Sequence, residues 1–238
     1  MSYQPIPFNP MDVTTWSHCK PDIIAHDTAR SRDRSTAVIG GRNPCPRPMQ
    51  PSLIGIRELI ELPQGLVGAD RASALAAVDA RYHNNAMIVA DLSNDPSYAG
   101  YLQQTFGPRV IGLHITRHGD GMHAEYRPVN GDHIPVYTIG RSYLIEQFHN
   151  LLSAQRVRVP DNDMMRRAYA QLEALVPEWR ESGTVYTCPD GQHDDLGISC
   201  AMLVWLAGHP HLDSWVRRVE QTRRPPRSYQ PPDKRAWS

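Results

Sequence analysis

Cysteine is scarce and scattered in this chain of 238 residues. The four, Cys19, Cys45, Cys188 and Cys200, form no CxxC pair and no Cys/His metal spacing. That excludes a zinc finger or ribbon and leaves no disulfide framework. Net charge is missing too: 25 Lys and Arg balance 25 Asp and Glu, so no global basic field draws the chain to a polyanion. No apolar run reaches the length of a membrane span, and the proline-rich start has no apolar signal core. The expectation is a soluble, cytoplasmic protein with no membrane partner. No GxxxxGK(S/T) loop occurs, which excludes a P-loop ATPase, and there is no internal repeat.

Three zones are present. Residues 1–21 carry Pro5, Pro7, Pro10 and Pro21 without periodicity and read as an arm. Residues 22–215 are long enough for one domain with a sizeable core. Residues 216–238 combine Arg217, Arg218, Arg223 and Arg224 with Pro225, Pro226, Pro231 and Pro232. They predict a disordered basic tail that stays off the core and whose arginines contact phosphates.

Within the domain the pattern predicts strands at 23–30, 36–41 and 53–62, the first two joined by a short polar turn. A helix at 69–83, a fully apolar strand at 87–90, a helix at 96–106 and a strand at 110–115 follow. Residues 118–133 are polar and glycine-bearing and read as an exposed excursion, with His114, Arg117 and His118 on a rim. Helices at 143–154 and 163–175 flank a strand-like 157–159, and a last helix begins at Asp194. Tyr98 and Tyr101 read as core and rim. A meander of three strands joined to parallel α/β units gives a mixed sheet with helices on both faces.

Acidic residues punctuate that pattern. Asp27 closes the apolar run Ile23-Ile24-Ala25, and Asp91 closes Met87-Ile88-Val89-Ala90. Asp194 and Asp195 open an apolar helix, residues 198–207. A crossover through the helix at 69–83 sets the Asp27 and Asp91 strands parallel, with both acids at the sheet edge where open α/β sheets place their sites. Clustered carboxylate oxygens suit a hard divalent cation, and two such ions can drive in-line phosphodiester hydrolysis. The candidate ligands are Asp27, Asp91, Asp194 and Asp195, with Asp27, Asp91 and Asp195 catalytic. His193 and Asp33 are candidates to support them. Each acid alone has a plainer reading as a turn or helix-start residue.

Ile24-Ala25-His26-Asp27-Thr28-Ala29 with Arg32-Asp33-Arg34-Ser35-Thr36-Ala37-Val38 resembles the first strand and hairpin return of the ribonuclease H-like nuclease domain of phage terminase large subunits. Asp91 after Ile88-Val89-Ala90 looks like that family's second acidic position. Thr138 to Pro160 resembles its helix-then-strand, and His193-Asp194-Asp195-Leu196 with Ala201 its last motif, best matched at Asp195. The family usually has glycines soon after the second acid, where this chain has Leu92-Ser93-Asn94-Asp95. The resemblance implies an α/β ribonuclease H-like fold and an endonuclease using Mg²⁺ or Mn²⁺, as two ions. Its substrate would be double-stranded DNA, cut during phage or prophage genome packaging in a bacterial host. The family's motor ATPase is absent, so a separate packaging ATPase, a small terminase subunit or a portal would be partners. Two alternatives stay open: a non-catalytic packaging or interaction module, and another ribonuclease H-like nuclease such as a junction resolvase or hybrid nuclease.

Overall fold

The structure, a computed structural model, describes residues 21–28, 34–43, 52–180, 183–189 and 193–223. Three strands open it: β1 (Asp22–Asp27), β2 (Thr36–Asn43) and β3 (Leu53–Glu61). They form the antiparallel meander that the sequence predicts. Helix α1 (Gly68–Ala80) crosses over, and β4 (Met87–Asp91) returns parallel to β1. Helix α2 (Tyr98–Phe106) then leads to β5 (Val110–Thr116), parallel to β4. The elements β6 (Asp120–Val129), β7 (Asp132–Gly140), α3 (Arg141–Ser153), β8 (Val157–Arg158) and α4 (Asp163–Glu173) follow. A separate two-stranded hairpin, β9 (Val176–Arg180) and β10 (Gly183–Thr187), precedes α5 (Asp195–Gly208) and α6 (Leu212–Arg223). Among the described residues the main sheet has eight strands in the order β6-β7-β5-β4-β1-β2-β3-β8.

Alternation along the central strands creates two cores, because successive side chains point to opposite faces. Ile23, Ala25, Met87 and Val89 pack with α3, α4 and α5 on one face. Ile24, Ile88 and Ala90 pack with Leu75 of α1 and Leu102 of α2 on the other. Tyr98 is fully buried, whereas Tyr101 on the same helix is exposed. Helix α5 is buried almost all round, the signature of a helix inside the core rather than on its surface.

Three expectations change. The excursion at 118–133 is a hairpin, and its outer strand β6 is the sheet edge, mostly exposed. The β9–β10 hairpin had no counterpart among the expected elements. Beyond Trp215 the chain does not dissolve: α6 continues to Arg223, with Trp215 and Val219 buried in the core and His209 stacked on Trp215 at 4.7 Å between ring centroids. Asp33 and Arg224 lie outside the described residues, as do 1–20 and 224–238.

Candidate active site

Strand parity and register bring two acids together. Asp27 shares the parity of Ile23 and Ala25, and Asp91 that of Met87 and Val89, so both point to the face covered by α5. The last printed register pair of β1 and β4 is His26 with Ala90. One step further along, Asp27 and Asp91 stand abreast on strands about 4.8 Å apart. Asp195 is the first residue of α5, on that same face. The Asp27 side chain senses the other two. Burial, then the negative charges of Asp91 and Asp195, push the Asp27 carboxyl well above the usual carboxylate range. The Arg141 charge and the Thr28 N–H pull it back. Burial likewise raises Asp91, against its hydrogen bonds from Ser93.

Cross-ties fix the frame. The Thr28 hydroxyl donates to the Asp91 carbonyl at 2.9 Å, locking the ends of β1 and β4 together. The Thr36 hydroxyl lies 3.2 Å from the Asp195 carbonyl and 2.7 Å from the Ser199 hydroxyl, tying β2 to the first turn of α5. Ser93 donates its N–H (2.9 Å) and hydroxyl (2.5 Å) to Oδ1 of Asp91, and its oxygen accepts the Ile115 N–H at 2.7 Å. That is the turn chemistry of an Asp side chain bonding two residues on, so the turn role and a site role coexist. Gly197 lets α4 press on α5: a Cβ there would lie 2.6 Å from Cγ of Leu172. Its N–H donates to Gln171 Oε1 at 3.1 Å.

The remaining candidates separate. Asp194 is ion-paired with Arg141, the first residue of α3. It is thereby turned toward a protein cation. Burial lowers the Arg141 guanidinium, while Cys188 and the charges of Asp27, Asp195 and Asp91 raise it, so one cation serves the whole acidic group. His193 is exposed, its Nδ1 3.9 Å from Oδ2 of Asp195. Arg217 and Arg218 are exposed on α6. Arg218 borders a groove with Val110 and Ile111, and its helix neighbours Val216 and Val219 border one with Asp22 and Met87. Those residues begin or lie early in β1, β4 and β5, whereas Asp27 and Asp91 end β1 and β4. The arginines therefore sit a strand length, roughly 15–20 Å, from the acids and take no part in their cluster. Sequence reasoning missed Arg141, Thr28, Thr36, Ser93 and Ser199. Only Ser93 had a signal, its place two residues after an Asp in a turn.

Two clefts flank the acids. One of about 430 Å³ is bordered by Arg34, Thr36, Glu61, Arg167, His193 and Asp195. The other, about 420 Å³, is bordered by Asp91, Ser93, Asn94, Arg117, Arg141 and Tyr186. Among the described residues no three His, Cys, Asp or Glu side chains stand in an arrangement that could hold a metal ion as they are. The donor set still fits a hard divalent cation. Its oxygens are carboxylates, Asp27 and Asp91 are almost out of solvent, and their mutual repulsion is what such a charge would cancel.

A meander of three strands followed by parallel α/β strands, with helices on both faces and acids at the central strand ends, is the ribonuclease H-like fold. More narrowly, the chain has the fold of large-terminase nuclease domains. The large terminase nuclease of thermophilic phage G20c is similar over 85% of this chain and 89% of its own, at 17% identity and a TM-score of 0.51. The same nuclease with bound magnesium is similar over 86% and 88%, at 16% identity and a TM-score of 0.51. The human cytomegalovirus terminase nuclease domain, manganese-soaked and inhibitor-bound, is similar over 84% and 89%, at 13% identity and a TM-score of 0.51. No protein-family model matches the chain, and no curated protein does. No helix among the described residues is long and apolar enough to cross a membrane.

Proposed function

We propose that the protein is a metal-dependent endonuclease that hydrolyses phosphodiester bonds of double-stranded DNA, with Asp27, Asp91 and Asp195 as the residues that hold Mg²⁺ or Mn²⁺. One observation carries this reading. Two buried carboxylates stand abreast at the ends of parallel strands, a third opens the helix on the same face, and Asp27, raised first by burial, also feels the negative charge of both neighbours. Buried carboxylates that share the charge of Arg141 among them are still costly, so a cluster of this kind is a candidate functional site. Bound in this cluster, a pair of ions would supply a nucleophilic water and stabilise the leaving oxygen. The chain's own residues do the rest. Ser93 and Thr28 hold Asp91 and the strand ends, and Thr36 and Ser199 hold the start of α5. Asp194 keeps Arg141 beside the acids, where its fixed positive charge faces an incoming phosphate. His193, its Nδ1 3.9 Å from Oδ2 of Asp195, orders that carboxylate or positions a water.

The same reading places the protein in phage or prophage genome packaging, in the cytoplasm of a bacterial host. It would work with a packaging ATPase and with a small terminase subunit or portal. A second reading is favoured by Arg141, whose guanidinium already compensates the acids: the fold would be kept as a non-catalytic packaging module. Plasmid cleavage separates the two. Wild type should nick and linearise supercoiled plasmid with Mg²⁺ or Mn²⁺ and fall silent with chelator. Asp91→Asn, which keeps the acceptor for Ser93 but loses the charge, should retain the fold by circular dichroism and lose cleavage. Undiminished cleavage by that variant would place the nuclease elsewhere; a silent wild type that binds no metal would support the module.

A further inference from the structure

Glu61 is gripped by two arginines. Arg34 Nη1 reaches its Oε2 at 3.2 Å and Arg167 Nη2 its Oε1 at 2.5 Å. Both arginine side chains are more than half exposed, while that of Glu61 is only 20% exposed. Burial raises the Glu61 carboxyl, but the two arginines outweigh it and hold it below its ordinary range. The three residues come from different elements: Arg34 precedes β2, Glu61 ends β3 and Arg167 belongs to α4. They border the same cleft as Asp195.

Register fixes their distance from the acids. Asp27 pairs with Thr36, and Thr36 with Glu61. Glu61 is thus two strands from Asp27, roughly 10 Å at 4.8 Å per strand. A guanidinium presents five donors; Arg167 gives Nη2 to Glu61 and Nη1 to Met164 Sδ at 3.4 Å, Arg34 gives Nη1 to Glu61, and both arginines border the cleft. Ion pairs this exposed are weak, whereas Arg with phosphate is bidentate and charge-assisted. The same guanidinium geometry that holds the Glu61 carboxylate suits a phosphate.

We infer that this cleft is a docking site for a backbone phosphate of the DNA strand, a few nucleotides from the bond that is cut, gripped by Arg34 and Arg167 in place of Glu61. The inference rests on the nuclease reading above and adds to it the side of the cluster along which the strand runs. Such a contact carries no base information; it sets where the strand lies relative to the acids.

The test is anisotropy of a labelled DNA duplex across a salt series in Ca²⁺, which takes the same carboxylate oxygens in a looser shell, with plasmid cleavage in Mg²⁺ alongside. Arg34→Ala and Arg167→Ala should each weaken binding several-fold and lower the salt slope by about one. Glu61→Gln should do the reverse, tightening binding and steepening the slope, because it removes the competing charge and releases both arginines. A merely structural Glu61 would not give that gain. If wild type binds and cleaves but all three variants keep its affinity and slope, the docking site is wrong and the nuclease reading stands. If wild type neither binds nor cleaves the duplex, both fall.

Discussion

Removing the charge of Asp27 should make the metal-free protein more stable. Asp27 is buried and stands beside Asp91 at a strand spacing of about 4.8 Å. Two like charges about 5 Å apart repel by about 3 kcal/mol at an effective dielectric of about 20, and Arg141 cancels part of that. Asn keeps an oxygen for the Thr28 N–H and nearly the same volume. We therefore expect Asp27→Asn to gain on the order of 1–2 kcal/mol at pH 7 in chelator, first because no buried charge remains and second because the repulsion is lifted, less the Arg141 attraction. For a domain of this size that is roughly 2–8 °C in Tm. The pH dependence has a definite sign. The folded-state pKa of Asp27 lies above the unfolded one, so the native state holds the proton more tightly. Its penalty is absent below the unfolded value, ~4, and grows as pH rises toward the folded value. The stability difference between variant and wild type should therefore shrink from pH 7 toward pH 4. Calorimetry at a series of pH values, with chelator and then with Mn²⁺, reads both effects. Manganese should raise the wild-type Tm more than that of the variant, since the ion relieves a repulsion the variant lacks. A variant less stable than wild type in chelator at pH 7, or a difference independent of pH, would refute the electrostatic account of the cluster.

Ser93→Ala removes the hydroxyl that donates to Asp91 and so should cost roughly tenfold or more in metal affinity or cleavage. Because that bond holds the Asp91 carboxyl down, the acid limb of the pH–rate profile should move to higher pH. Gly197→Ala would push a methyl against Leu172 and should cost about 1–3 kcal/mol by overpacking, seen as a lower urea midpoint at unchanged slope. Truncation after Trp215 removes the buried Val219, worth about 1.5–3 kcal/mol. It should lower Tm measurably, and an unchanged Tm would mean that α6 does not hold to the core.

What the sequence made legible follows from burial. The strands ending in Asp27 and Asp91 are covered on both faces, so they appear as continuous apolar runs, and the acid at each end is conspicuous. The crossover through α1 then dictates parallel pairing, and parity dictates which face each acid takes. The hairpins were illegible for the opposite reason. Strand β6 is an edge with most residues exposed and Pro128 within it, as edge strands tolerate, so it has no apolar alternation. The β9–β10 hairpin has Trp179 at 84% exposure and pairs only with itself. Helix α6 was misread because its apolar stripe, Trp215 and Val219 at helical spacing, is thin among charges. The Arg/Pro composition beyond it dominated the window. Arg141 is the instructive omission. Nothing in its sequence neighbourhood marks it. It reaches the acids only because β7 returns beside β5, parallel to it, and delivers the start of α3 to the sheet edge that carries Asp91. An acid at a strand end needs only its own strand to be found; its counter-charge depends on the path of the whole chain. Where a site is built from one buried element and one distant partner, sequence pattern finds the first, and the topology of the sheet is needed for the second.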